Sequence, residues 1–161
     1  EGDVPYTLNP GGPNHEELSC LVGVYEYFNN LFQHHFPGED GSVREKIEKV
    51  NELINKHEQE IANPLLEYIN SRDDIKLIGK NKIENKNRAP TIAFTMNNKS
   101  SKELSSDLVK HGIATRNDNF YAWRCLKALG IDVDDGVVRT SMVHYNTHED
   151  VNNLIEALKK I

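Results

Sequence analysis

Apolar positions along this chain recur at helical spacing up to about residue 72 and at strand and helix spacings in turn after it. Residues 1–13 hold three prolines and three glycines and read as a loop. Asn14 can cap the helix that follows, with Pro13 ahead of it and Glu17 placed to reach back. Leu18, Leu21, Val22, Tyr25, Phe28 and Phe32 then share one face, and His34-His35-Phe36-Pro37-Gly38 ends the run. Ser42 and Glu45 form a second capping pair. Beyond it Val43, Ile47, Val50, Ile54, His57 and Ile61 alternate at four- and three-residue steps. That stripe suits a long amphipathic helix lying on a protein body, and also a short coiled coil. Asn63-Pro64 predicts a break there and a new helix through about Arg72.

From residue 75 the pattern predicts short strands at Ile75–Ile78, Thr91–Met96, Ile113–Arg116 and Val137–Val143. In the second of these, Ile92, Phe94 and Met96 alternate onto one side. Lys80–Arg88 is a polar loop. Helices are expected from Ser100 with Glu103 to Gly112, over Tyr121–Leu129 with Gly130 as the stop, and from Thr147 with Asp150 to the end. The last of these turns Val151, Leu154, Ile155, Leu158 and Ile161 inward. The architecture that follows is α/β or α+β: a small three- to four-stranded sheet packed by helices, with a helical arm before it. The expected division is 1–72 for loop and arm and 73–161 for the sheet domain.

Composition narrows this picture. The chain has 161 residues, 37% hydrophobic and 27% charged, enough for one core with an appended arm. Nineteen basic against twenty-five acidic residues give a net charge of −6, which argues against non-specific nucleic-acid binding. No apolar run approaches the roughly 18–20 residues of a membrane span. Glu1-Gly2-Asp3-Val4-Pro5 lacks the basic flank and apolar stretch of a signal peptide, so an internal stretch of a longer, cytoplasmic protein is expected. Cys20 and Cys125 sit in helical apolar patterns and are expected as buried, reduced thiols.

Arg139 stands in a strand that is otherwise apolar or small. Such a cation must point outward, find a structural anion, or bind a carboxylate with its planar fork. Arg116 closes another strand ahead of Asn117-Asp118-Asn119-Phe120-Tyr121, a polar turn that could be a binding loop or a simple turn and cap. Gly11-Gly12-Pro13-Asn14 precedes a helix start, where backbone amides can receive a phosphate oxygen or merely form a turn. No metal site is expected: His144 and His148 are four apart but separated by a helix start, and no third ligand is suitably spaced. His34, His35, His57 and His111 have no partner that the sequence names.

In order along the chain these segments resemble a known family. Val138-Arg139-Thr140-Ser141-Met142-Val143-His144-Tyr145-Asn146-Thr147-His148-Glu149-Asp150-Val151 is similar to the closing stretch of cysteine desulfurases and selenocysteine lyases. These are class V aminotransferase relatives. Gly112–Arg116, Arg88–Phe94 and Gly11–Asn14 resemble the strand before the family's active-site loop, the strand opening its small domain, and its Gly-Thr-Pro-Asn turn. The resemblance implies the C-terminal part of a fold-type I pyridoxal-phosphate enzyme. Arg139 would bind the carboxylate of a small amino-acid substrate, and Arg116 and the loop Asn119–Trp123, with Asn119 and Tyr121 in it, would line the entrance. Gly11, Gly12 and Asn14 would approach the cofactor phosphate of a partner subunit in a homodimer.

Departures from the family limit this. Gly12 replaces the threonine that would contact the phosphate. Tyr121 stands where a desulfurase of this group carries its nucleophilic cysteine, with Cys125 a helical turn further on. No lysine here has the His-Lys context of the family's cofactor anchor. No catalytic residue is therefore expected in this chain, and pyridoxal phosphate is expected bound not covalently to it but in a full-length enzyme with an upstream large domain. The alternatives are a non-catalytic interaction or dimerisation module, in which the Val43–Ile61 stripe binds a partner helix, and a small amino-acid-binding regulatory domain.

Overall fold

The computed structural model describes residues 11–84 and 88–161. The loop read at residues 1–10, and residues 85–87 of the polar loop, lie outside the described residues. Two compact units are present, one ending at Leu53 and the other running from Ile54 to Ile161.

The first unit holds helix α1 (His15–His35) and the opening turns of α2 (Val43–Asn70). Asn14 Oδ1 accepts from the Glu17 amide at 3.1 Å, the cap that the sequence predicts. Phe32 is buried and packs on Phe36 with ring centroids 5.2 Å apart. Lys46 and Lys49 lie over these rings while pairing with Asp40 and Glu39, so their stems cover apolar surface and their charges stay neutralised. Toward its N-terminus α1 exposes Leu18, Leu21, Val22 and Tyr25, the same face that the spacing groups together.

The second unit is a four-stranded antiparallel sheet in the order β1-β2-β4-β3, with β1 Ile75–Ile78, β2 Thr91–Met96, β3 Arg116–Asp118 and β4 Val137–Ser141. Helices α3 (Ser101–Lys110), α4 (Trp123–Ala128) and α5 (His148–Leu158) accompany it. Ile61, Leu65, Leu66 and Ile69 of α2 join Ile92, Phe94, Val138, Leu104, Leu108, Leu154 and Leu158 in one core. Reciprocal capping boxes start α3 (Ser100, Glu103) and α5 (Thr147, Asp150), as the pattern predicts.

Three local expectations are corrected. Pro64 does not begin a new helix but sits inside continuous α2. Asn63, expected as its cap, instead binds the loop at Ile83: Oδ1 accepts the Ile83 amide at 2.8 Å and Nδ2 donates to its carbonyl at 3.2 Å. Ile113 is not strand: its amide donates to Leu108 O at 3.0 Å and, with Gly112 at φ 76°, closes α3 in a left-handed turn. Cys20 and Cys125 are both exposed. No described helix is long and apolar enough to cross a membrane.

Candidate substrate-anion site

The sheet presents two faces. Along β4, Val138 and Thr140 are buried toward the helices, and alternation sends Arg139 to the opposite side. Strand pairing places Arg116 of edge strand β3 directly across from Arg139. Like charges at opposed positions destabilise an antiparallel pair, so the strands accept this juxtaposition without local benefit. The Arg116 side chain is exposed and makes no hydrogen bond or ion pair among the described residues.

Arg139 is neither exposed nor structurally paired. Its Nε is buried without a hydrogen-bond partner among the described residues. Its guanidinium carbon lies 4.1 Å from the centroid of the Phe120 ring. A buried N–H left unmet costs about 1–3 kcal/mol, and a planar cation with unpaired in-plane donors is suited to a carboxylate. The residues present therefore fit an anionic ligand at Arg139.

The loop after β3 is held closely. Asn119 is engaged on all sides: its backbone amide donates to Asp118 Oδ1 at 2.6 Å, its Oδ1 accepts from the Tyr121 amide at 3.1 Å, and its Nδ2 donates to Val133 O at 3.2 Å. Its carbonyl also accepts from the Ala122 amide at 2.8 Å. Gly136 lies under the same turn, and a Cβ there would meet the Asp118 carbonyl carbon at 2.3 Å. No larger residue can let the backbones approach this closely. The turn carries Phe120 and Tyr121 consecutively at φ 51° and 59°. Each left-handed non-glycine residue costs about 1–2 kcal/mol. Tyr121 is fully exposed at 103% of its reference area.

Gly11 and Gly12 belong to the first unit, at φ 87° and 85°, with nothing within 4 Å of a notional Cβ. They immediately precede α1, whose cap employs the Asn14 side chain. The structure thus brings Arg116, Asn119 and Arg139 together in one neighbourhood and sets Phe120 of the same loop against Arg139, a contact that the sequence does not name. Its signal was an aromatic inside an otherwise polar turn beside an arginine strand end.

His57, which has no partner nameable from sequence, places Nε2 2.8 Å from Asn146 O and its ring 6.4 Å from that of His148. Nearby Glu58 has its carboxyl raised above the ordinary range by burial, opposed by His144 and His57.

An aminotransferase-like protein of Gibberella zeae is 32% identical over 157 residues, which cover 96% of this chain and 37% of its own length. A cysteine desulfurase of Escherichia coli O8 is 29% identical over 158 residues, 98% of this chain and 32% of its own. The crystal structure of an Escherichia coli cysteine desulfurase superposes with a TM-score of 0.67 at 20% identity, over 97% of this chain and 32% of that one. That of a Thermococcus onnurineus cysteine desulfurase gives 0.59 at 21% identity, over 73% and 29%. The chain spans about a third of the length of the curated relatives it matches. The fold is accordingly that of part of a fold-type I pyridoxal-phosphate enzyme. The class-V aminotransferase profile matches residues 45–154, more than half of the sequence, and the chain belongs to that family.

Proposed function

We propose that this chain forms the substrate-carboxylate-binding portion of a pyridoxal-phosphate enzyme of cysteine desulfurase-like type, acting on a small amino acid. The observation that carries the reading is the buried, unpartnered Nε of Arg139 beside a second unpaired cation, Arg116. Arg139 receives the carboxylate in its guanidinium plane and so fixes the orientation of the substrate's α carbon. Arg116 draws the anion toward the entrance, together with Asn119 and Tyr121. The Gly11–Gly12 amides offer a cradle for a phosphate, with Asn14 holding the helix start behind them. Pyridoxal phosphate, when bound, supplies a sink for the electron pair released at the substrate's α carbon.

None of the chain's lysines follows a histidine, so the covalent anchor is assigned to the part of the longer relatives that this chain does not span. Tyr121 occupies the family's nucleophile position, and exposed Cys125 is not assigned that role. Arg139→Ala in the active enzyme is expected to raise KM for the amino acid about ten-fold or more. Unchanged kinetics would remove Arg139 from the site. Incubation of this chain with pyridoxal phosphate, borohydride reduction and peptide mapping is expected to label no lysine stoichiometrically. Clean labelling of one lysine would give the chain its own anchor and overturn that assignment.

The exposed apolar face of α1, with Leu21 61% accessible, favours a second role in association. It suits an upstream domain or the partner subunit of a homodimer. Leu21→Glu leaving sedimentation of the active enzyme unchanged would count against it.

A further inference from the structure

We infer that Phe120 is a positioning residue for Arg139: its ring fixes the guanidinium plane so that Nε and the terminal nitrogens face an incoming carboxylate. This rests on the reading of Arg139 as the carboxylate binder. An arginine side chain has several rotatable bonds, and a free one spends most of its time misaligned. No hydrogen bond holds Nε of Arg139 among the described residues. The contact that does restrain it is the Phe120 ring, 4.1 Å from its guanidinium carbon and well inside cation–π range. Stacking occupies one face of the guanidinium and spends none of the in-plane N–H groups from which a carboxylate accepts two parallel bonds. The ring therefore restrains the cation without competing for its donors, which an aspartate or glutamate in the same place would do.

The backbone indicates that the ring, rather than the turn, is what residue 120 contributes. A left-handed φ of 51° followed by 59° is the conformation that glycine adopts freely and bulky residues avoid. Phenylalanine nevertheless stands there. Of the two strained aromatics, Phe120 lies on the arginine while Tyr121 projects fully into solvent. The turn is anchored independently of either ring, by the Asn119 hydrogen bonds to Val133 and Tyr121 and by the Asp118–Gly136 approach. The stack is thus built on a rigid base that a change of side chain at 120 leaves standing.

The test uses the nitrogen-15-labelled chain, following the arginine Nε–Hε resonances during titration with L-alanine, with Arg139→Lys to assign the signal. Phe120→Gly adopts the turn without strain and is expected to keep the parent backbone spectrum. It should move the Arg139 Hε resonance off its ring-shifted position and weaken L-alanine binding by about three- to five-fold. Phe120→Tyr keeps a ring and should restore both. A responsive parent with unaltered affinity in Phe120→Gly would overturn the positioning role alone, as would Phe120→Tyr binding as weakly as Phe120→Gly. A parent whose Arg139 resonance ignores L-alanine would remove the carboxylate reading, and this role with it. Should Phe120→Gly fail to fold, nuclear Overhauser contacts between the Phe120 ring and the Arg139 δ protons in the parent decide. Their presence supports the stack and their absence overturns it.

Discussion

Arg72 and Arg139 lie in the same unit, both partly buried, and they are held in opposite ways. Arg72 is nearly saturated: Nε and Nη2 grip the two oxygens of Asp74 at 2.7 and 2.6 Å, while Nη1 donates to Tyr68 Oη at 2.6 Å and Leu158 O at 3.2 Å. That fork ties the end of α2 to the turn before β1 and to the end of α5. Arg139 has a ring on one face and an orphaned Nε. The Arg72 guanidinium is structural, because four of its five N–H donors are already committed within the protein. One left open at an edge, next to a second unpaired cation, is arranged for a group that comes and goes.

The largest effect that could break this comparison is on stability. Arg72→Met is expected to cost about 1–2 kcal/mol, since it removes the bonds to Tyr68 Oη and the Leu158 carbonyl and an ion pair to Asp74 that solvent partly screens. In a thermal scan this would lower Tm by about 2–8 °C. Arg139→Met should change stability by less than about 1 kcal/mol while abolishing the response to L-alanine. Equal losses from both substitutions would erase the distinction between structural and ligand-binding arginine.

A smaller effect sharpens the comparison through pH. The Arg72 hydrogen bonds hold the Asp74 carboxyl below its ordinary value of 3.8. A depressed carboxylate stabilises the fold above the unfolded value and loses that contribution as pH falls through the folded one. The Tm difference between the parent and Asp74→Asn should therefore be full near neutrality and vanish in strong acid. A difference that persists unchanged below pH 3 would mean that Asp74 does not act through its charge.

Much of this was legible in the sequence where one local interaction decides. Ser100 with Glu103 and Thr147 with Asp150 cap as predicted, because the cap and its partner lie three residues apart. Ile92, Phe94 and Met96 alternate inward because a strand has period two. Arg139 stood out because a cation in an apolar strand needs an explanation. What the sequence concealed depends on distant partners. Asn63 looked like a cap because its bond to Ile83, twenty residues away, is invisible locally. Ile113 looked like a strand because its amide's engagement with Leu108 is decided by the left-handed turn at Gly112. Phe120 gave little warning, since its importance depends on Arg139 arriving from β4 and on Gly136 permitting the close approach beneath the turn.

The opposed arginines have a consequence for how the edge of the sheet breathes. Strand β3 is three residues long and lies at the outside of the sheet, paired on one side. Short edges with mutual repulsion open at low free energy, and that repulsion is screened over about 10 Å at 0.1 M salt. An anion seated between the two guanidiniums converts the repulsion into a bridge across the strands. Amide exchange in β3 should therefore slow with added salt, and slow further when the site is filled, so that the least protected strand reports on occupancy.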